Sequence, residues 1–585
     1  MQALLGLLDF FHAILASVTG VGAALAIGGV AFAGVALGAG RSGDRSLERH
    51  VRRSARVVAA GASLTAAGEL AHLGLTALAV RGVSTEWLGA LLDASFFRAY
   101  LGLAAAAALC AGAARAVARG AHSGSAPLAA ALGAVGIALG GAFTSHAAGW
   151  LGDRLPLFAL DAVHRGAAYA WLGGVAHLAL FGAARPNPVE VKSVVPRASR
   201  LFAACVGVLV AAGVALALPY IGTPQRLLGT SYGLLVVAKL FLLAGLLGVA
   251  AFNHRSVSRI ARGEQSAELS LWRFAELEIG FGLAALFVAG TLASTPPGVD
   301  VGAEVAKASE VGRVFIQGWR DLAALGWRGF DIQTVGVSIF NHRLSGSLLV
   351  AMALLAIAER LGLAAWARNW PLLLLVLGVF VFVHSERQAW PFGRIGFVES
   401  FGDPEIVQHR LAGLLVIGFS FFEWAVRTGR LPPARAALVF PAVSLLGGGL
   451  LIVHSHAGVG LKDELLIQLT HLPIAVLGML AGMSRWIELR LPNRTGRRIG
   501  WLWPPALLGV GLILVGYWEP PRAIPDPRDA RLAPPALALE YALHECAGAS
   551  APACDYGRGG AHSGCAANIA CVRSSVDSSM QRERI

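Results

Sequence analysis

Imidazole titrates near neutral pH and ligates copper, zinc, iron or nickel. The sequence places it by a repeat. "FNHRLSGSLLV" begins at Phe340 and "VQHRLAGLLVI" at Val407, so His-Arg-Leu-small-Gly stands twice at the head of an apolar segment. A second histidine follows each copy, His384 after His342 and His454 after His409, 42 and 45 residues on. His456 and His471 lie close behind. The pattern reads as a duplicated helix pair, each copy delivering two histidines to one face. The same chemistry recurs earlier. His12 opens the first apolar stretch, His146 ends the fourth, and His164 opens the fifth with Asp161 three residues before it. His72 has Glu69 at the same spacing. Residues i and i+3 share a helix face, so each carboxylate can reach its histidine or the same ion. The candidate metal ligands are therefore His12, Glu69, His72, His146, Asp161, His164, His342, His384, His409, His454, His456 and His471. For each alone, the plain alternative is a helix-mouth histidine bonded to a backbone carbonyl.

The elements that position these residues must be membrane helices. The chain is 56% hydrophobic and 14% charged over 585 residues, with a mean hydropathy of +0.63. Such a composition excludes a soluble globular protein. Apolar stretches recur, each long enough to cross about 30 Å of hydrocarbon as a helix. The expected fold is all-α, a polytopic bundle of about 14 helices in two sets of eight and six. Residues 1–297 form the first set and 298–337 a linker with an amphipathic piece, "VFIQGWRDLAALGW". Residues 338–517 form the second set, and 518–585 a low-complexity tail. The 72 glycines let helices approach closely.

The net charge of +13 resides in short loops, so it speaks to topology and not to nucleic acid. One class of alternate loops, including "RPNPVEVKSVVPR" and "RTGRLPPAR", is rich in arginine and lysine. The positive-inside rule makes that class cytoplasmic, leaving both termini and all twelve candidates toward the outside. In a bacterial inner membrane that outside is the periplasm. Ionisable groups in spans mark ion or proton paths.

An ordered set of short elements narrows the metal. Asp161, His164, Trp171, Gly173 and Gly174 form D-x-x-H…W-x-G-G. Thr230, Tyr232, Gly233 and Lys239 form T-x-Y-G-x5-K, and Glu278 and Gly282 precede a closing T-P-P at Thr295–Pro297. Over residues 140–297 the chain resembles the copper resistance protein D family, polytopic inner-membrane proteins associated with moving copper from periplasm to cytoplasm. The resemblance implies copper handling, with His146, Asp161 and His164 as contributors. It extends weakly to Met1 and does not cover the C-terminal helices.

The expectation is thus a non-enzymatic inner-membrane copper-handling protein assisting uptake from the periplasm. Its partners would be the copper ion, the lipid bilayer and a periplasmic copper-binding protein. Two alternatives stand beside it. His342, His384, His409 and His454 could ligate haem b in an electron-transfer protein, with Gly346, Gly413 and Gly447–Gly449 making room for the macrocycle. Or the protein delivers copper to an oxidase without transporting it. No Walker A loop is present, so transport would be passive or driven by an ion gradient. Lys239 reads as snorkelling to the interface or as gating cations, and Glu276 and Glu278 as favourable charge at a helix N-terminus or as a cytoplasmic ion exit. The tail's Cys546, Cys554, Cys565 and Cys571 suit two disulfides, or metal capture with His544 and His562.

Overall fold

A bilayer offers the backbone no water, so each crossing segment must close its own hydrogen bonds as a helix. The computed structural model describes residues 8–38, 45–83, 86–121, 124–149, 154–264, 266–302, 305–384, 389–453 and 461–519. His454, His456 and the tail cysteines and histidines lie outside these residues. Eight long helices come first: α1 (Leu8–Ala31), α2 (Arg45–Val83), α3 (Ser95–Arg119), α4 (Ser125–Phe143), α5 (Arg154–Ala183), α6 (Pro188–Ile221), α7 (Ser231–Ala261) and α8 (Ser266–Ser294). The amphipathic α9 (Ala308–Leu325) follows. Then come α10 (Val337–Arg360), α11 (Leu372–His384), α12 (Pro404–Arg427), α13 (Val439–Val453), α14 (Leu461–Arg490) and α15 (Trp503–Val515). Among the described residues, thirteen helices are long and apolar enough to cross a membrane, and Val439–Ile452 is a shorter apolar helix. The expected all-α polytopic bundle is the fold observed.

In lipid, helices associate through close packing and hydrogen bonds, since there is little hydrophobic drive between them. α1 sits at the centre of the first eight helices, packed on α2, α5 and α8. Its crossing with α5 is set by glycine. A Cβ at Gly173 would stand 1.7 Å from the Ala24 carbonyl oxygen, and one at Gly28 would stand 2.4 Å from the Gly173 carbonyl carbon. The W-x-G-G element is therefore a helix-contact element. T-x-Y-G has an equally local role: Thr230 caps α7 by accepting from Gly233 N at 3.1 Å.

Polar contacts tie the first eight helices to the last six. Glu276 on α8 accepts from Trp486 Nε1 at 2.9 Å and from Arg490 at 2.8 and 3.0 Å, with Arg273 also paired to it. That carboxylate, read from sequence as a helix-terminus charge, is an interhelical clasp. α9 is held to α14 by Lys462 Nζ, 2.6 Å from Glu310 Oε1, a hydrogen bond that holds the Glu310 carboxyl below its ordinary range.

The repeated His-Arg-Leu-small-Gly also has a structural use. Arg343 is fully buried and donates to the carbonyls of Gly329 (2.6 Å) and Gly318 (3.3 Å). Arg410 donates to the carbonyls of Phe397 and Trp390, each at 3.2 Å, and to Ser400 Oγ. Each arginine thus pins the segment preceding its own helix. The glycine three residues later faces a neighbouring backbone in both copies, Gly511 O for Gly346 and Gly378 O for Gly413.

Adding one methyl at the α1–α5 crossing should be costly, whereas Gly207, which has open space around its Cβ direction, should accept one. Thermal unfolding in detergent should show Gly173→Ala destabilised by about 1–3 kcal/mol, the usual range for overpacking. Gly207→Ala should be neutral or slightly stabilising, as expected from helix propensity.

Candidate metal site and polar chamber

On the side opposite the arginine-rich loops, the first helices gather charged and aromatic groups that lie far apart in sequence. His12 of α1 and His72 of α2 meet edge to edge, with their Nδ1 atoms 2.9 Å apart, ring centroids at 5.2 Å and an interplanar angle of 18°. One ring donates and the other accepts. The ring of Tyr100 on α3 lies nearly parallel to that of His72, with centroids 5.7 Å apart. Glu69, one turn before His72, is buried and within electrostatic range of Arg165 on α5. An ion bonded to both nitrogens at about 2.0–2.1 Å would hold them about 3.3 Å apart or more, so the pair need separate only slightly to admit one. The rings supply two nitrogen donors, with Glu69 one turn away on α2. Among the described residues, this is a pair of expected ligands from separate helices in the first set that the structure brings together.

The remaining expected ligands of that set are otherwise engaged. Asp161 was expected to share a ligand role with His164. Its Oδ2 instead accepts from Arg165 Nε at 2.8 Å, since a buried carboxylate is stabilised most by an adjacent guanidinium. His164 Nδ1 donates to the Leu209 carbonyl on α6 (3.1 Å), and its ring packs on Gly213. His146 Nε2 donates to the Leu292 carbonyl at 3.1 Å, its ring edge-on to Tyr220 and Tyr232. One nitrogen of each ring is thus committed to the backbone. The deeper His177 has both committed, Nε2 donating to Leu25 O (3.0 Å) and Nδ1 accepting from the Ser54 hydroxyl (2.8 Å). Lys239 is half-buried on α7 and lies within electrostatic range of Arg165 and Asp161. No ion pair of Lys239 is formed among the described residues.

In the C-terminal set, His342 and His471 approach edge to face at 5.5 Å, with Tyr517 stacked on His342 at 3.7 Å. His342 Nδ1 donates to Ser338 O and His471 Nδ1 to Ile467 O, each one turn back on its own helix. His384 Nδ1 donates to Asn341 Oδ1 (2.7 Å), and the Asn341 amide returns a bond to the His384 carbonyl (2.8 Å). His409 is half-buried beside the Arg410 clamp. Of the glycines expected to make room for haem, Cβ positions at Gly346 and Gly413 meet backbone at 2.6 and 2.9 Å, Gly448 faces the Ala475 carbonyl and Gly449 faces the Phe287 ring, whereas Gly447 has open space around its Cβ direction. Among the described residues, no group of three or more His, Cys, Asp or Glu is poised as a metal site.

A second polar region lies toward the arginine-rich loops and was not anticipated. A cavity of about 340 Å³ opens among α5, α6, α7 and α8. Apolar side chains line most of it; Glu278, Asn253, His254 and Ser199 supply its polar surface, with Trp171 between. Asn253, a lone amide inside the apolar run "AAFNHR", was the sequence signal for it. Along α7 and α8, Leu242, Leu246, Phe281 and Ala284 follow Asn253 and Glu278 away from the arginine-rich loops and are all buried, an apolar layer beside the cavity.

Residues 192–292 match the family described as copper resistance protein D. This agrees with the sequence resemblance and implies copper handling. The matched segment includes Lys239 and the polar residues of the cavity, while His12, Glu69, His72, Asp161 and His164 precede it. No curated protein and no solved structure matches the chain.

The two kinds of histidine should respond differently to truncation. His12→Ala or His72→Ala should weaken copper binding by about 10-fold or more, judging from what even outer-shell changes cost metal sites. Their unfolding temperatures should shift little. His146→Ala should do the reverse, losing stability by about 1 kcal/mol for its interhelical hydrogen bond. Chelator competition and thermal unfolding on the same preparations separate the two patterns.

Proposed function

We propose that this multi-pass protein resides in a bacterial inner membrane with both termini in the periplasm, and takes up copper there through His12, His72 and Glu69. The observation that carries the reading is the His12–His72 pair, two imidazoles from different helices with nitrogens at 2.9 Å. The match of residues 192–292 to copper resistance protein D supplies the metal. Copper is cargo here, handed over by a periplasmic copper-binding protein, and the protein performs no covalent chemistry on it. His342, His384, His409 and His471, with His454 and His456, serve as a further set of copper contacts on the same side.

Electrostatics make the step after capture the difficult one. A cation leaving the histidine pair meets Arg165, which Asp161 compensates, and then Lys239 within range of both. Lys239 therefore acts as the cationic gate in this reading. The same charge favours a second reading, in which copper is captured and delivered onward on the periplasmic side without crossing.

Radiocopper uptake by cells expressing matched amounts of protein tests both. Uptake should be abolished in the His12→Ala/His72→Ala double variant and raised several-fold in Lys239→Met. Wild-type protein that binds copper yet admits none would favour delivery. Uptake unaffected by loss of both histidines would refute the site. For topology, alkaline phosphatase fused after Tyr517 should be active and one fused after Arg430 inactive; the reverse result would place every histidine on the wrong side.

A further inference from the structure

Buried carboxylates in the helices fall into two kinds. Asp161 has Arg165 at 2.8 Å, Glu190 has Arg49 at 2.9 Å, and Glu423 has Arg427 at 2.8 Å. Glu69 has no ion pair but lies within range of Arg165. Glu278 differs. It is 3% exposed, and its neighbours are neutral: Asn253 Nδ2 donates to Oε1 at 2.7 Å, and Trp171 is its other hydrogen-bonding neighbour.

Among the described residues, no lysine or arginine forms an ion pair with Glu278. α7 brings Asn253 and His254, α5 brings Trp171, and α6 brings Ser199, whose hydroxyl lies 3.3 Å from His254 Nδ1. From α14, Met483 packs against Gly280, one turn's edge away. The nearby cations Arg273 and Arg490 are engaged by Glu276. An ionised carboxylate in such surroundings costs several kcal/mol or more, and the usual resolution is that the group takes up a proton. Asn253 Oδ1 is itself buried without a partner.

The cavity makes this carboxyl reachable. Its rim residues Ala203, Leu247, Ala251 and His254 are exposed on α6 and α7. Since both helices span the membrane, the mouth between them faces lipid near the arginine-rich side. We infer that Glu278 is a proton-binding carboxyl, neutral in the conformation seen and able to exchange its proton through this lateral cavity. Such a site is what a passage without an ATPase motif requires in order to draw on a proton gradient. The inference rests on the cavity and its neutral partners. It does not depend on copper.

A hydrophobic carbodiimide tests it, because this reagent partitions into lipid and adds to protonated carboxyls. Full-length protein in liposomes, treated with dicyclohexylcarbodiimide at neutral pH and mapped by mass spectrometry, should carry an adduct at Glu278. Labelling should fall as the pH is raised and recover when it is returned. Glu276→Gln should leave the adduct in place, and Ala251→Trp, which blocks the mouth but spares the carboxyl, should slow labelling several-fold. Glu278→Gln should abolish it. Absence of an adduct at Glu278 in the wild-type protein, or labelling indifferent to pH or to Ala251→Trp, would overturn the inference. Copper uptake read on the same preparations reports on the proposed function separately.

Discussion

Charge inside hydrocarbon has to be neutralised, and most of the specific contacts in this protein answer that demand. An uncompensated carboxylate or guanidinium in a low-dielectric interior costs more than helix packing returns. Hence Asp161 turns to Arg165, Glu423 to Arg427, and Glu276 to Arg490 across the seam between the first eight helices and the last six. Where no carboxylate is at hand, backbone oxygen substitutes, as it does for Arg343 and Arg410. Breaking one partner of these pairs leaves the other stranded; Asp161–Arg165 and Glu423–Arg427 lie within single helices, and Glu276–Arg490 specifies that α8 adjoins α14.

The number and type of helices were legible in the sequence because bilayer thickness fixes the length of an apolar run. The repeat was legible too, but its meaning was only half read. The histidines drew the eye, while the neighbouring arginines make the buried contacts. Their partners are carbonyls of Gly329, Gly318, Phe397 and Trp390, and no residue type announces that its carbonyl will be used. The His12–His72 pair joins residues 60 apart, and the choice of His72 over His164 as its partner depends on where α1 crosses its neighbours. That crossing is set by backbone approach at Gly28 and Gly173. Asp161 was misassigned for a related reason. Arg165 lies four residues on, on the same face, and a permanent cation outcompetes a neutral imidazole for a carboxylate.

The copper resistance protein D match and the histidine pair lie in different parts of the chain. Residues 192–292 hold Lys239 and the polar residues of the cavity, whereas the paired imidazoles come from α1 and α2. In the proposed reading, capture and passage draw on separable stretches of sequence. Helix α5 bridges them, contributing Arg165 to one region and Trp171 to the other.

The apolar layer of Leu242, Leu246, Phe281 and Ala284 has an electrical consequence. Lys239 and Asn253, its two ends along α7, are fourteen residues apart, or about 21 Å of helix rise. Ionic side chains on one side and a cavity on the other are far more polarisable than the leucines between them. A transmembrane voltage therefore falls mainly over that distance and not over the full hydrocarbon thickness of about 30 Å, so the local field is steeper by about 1.4-fold. A unit charge carried between the two regions would sample most of the potential, close to about 2.3 kcal/mol for each 100 mV. The layer is the dielectric of a capacitor, thinner than the membrane that contains it.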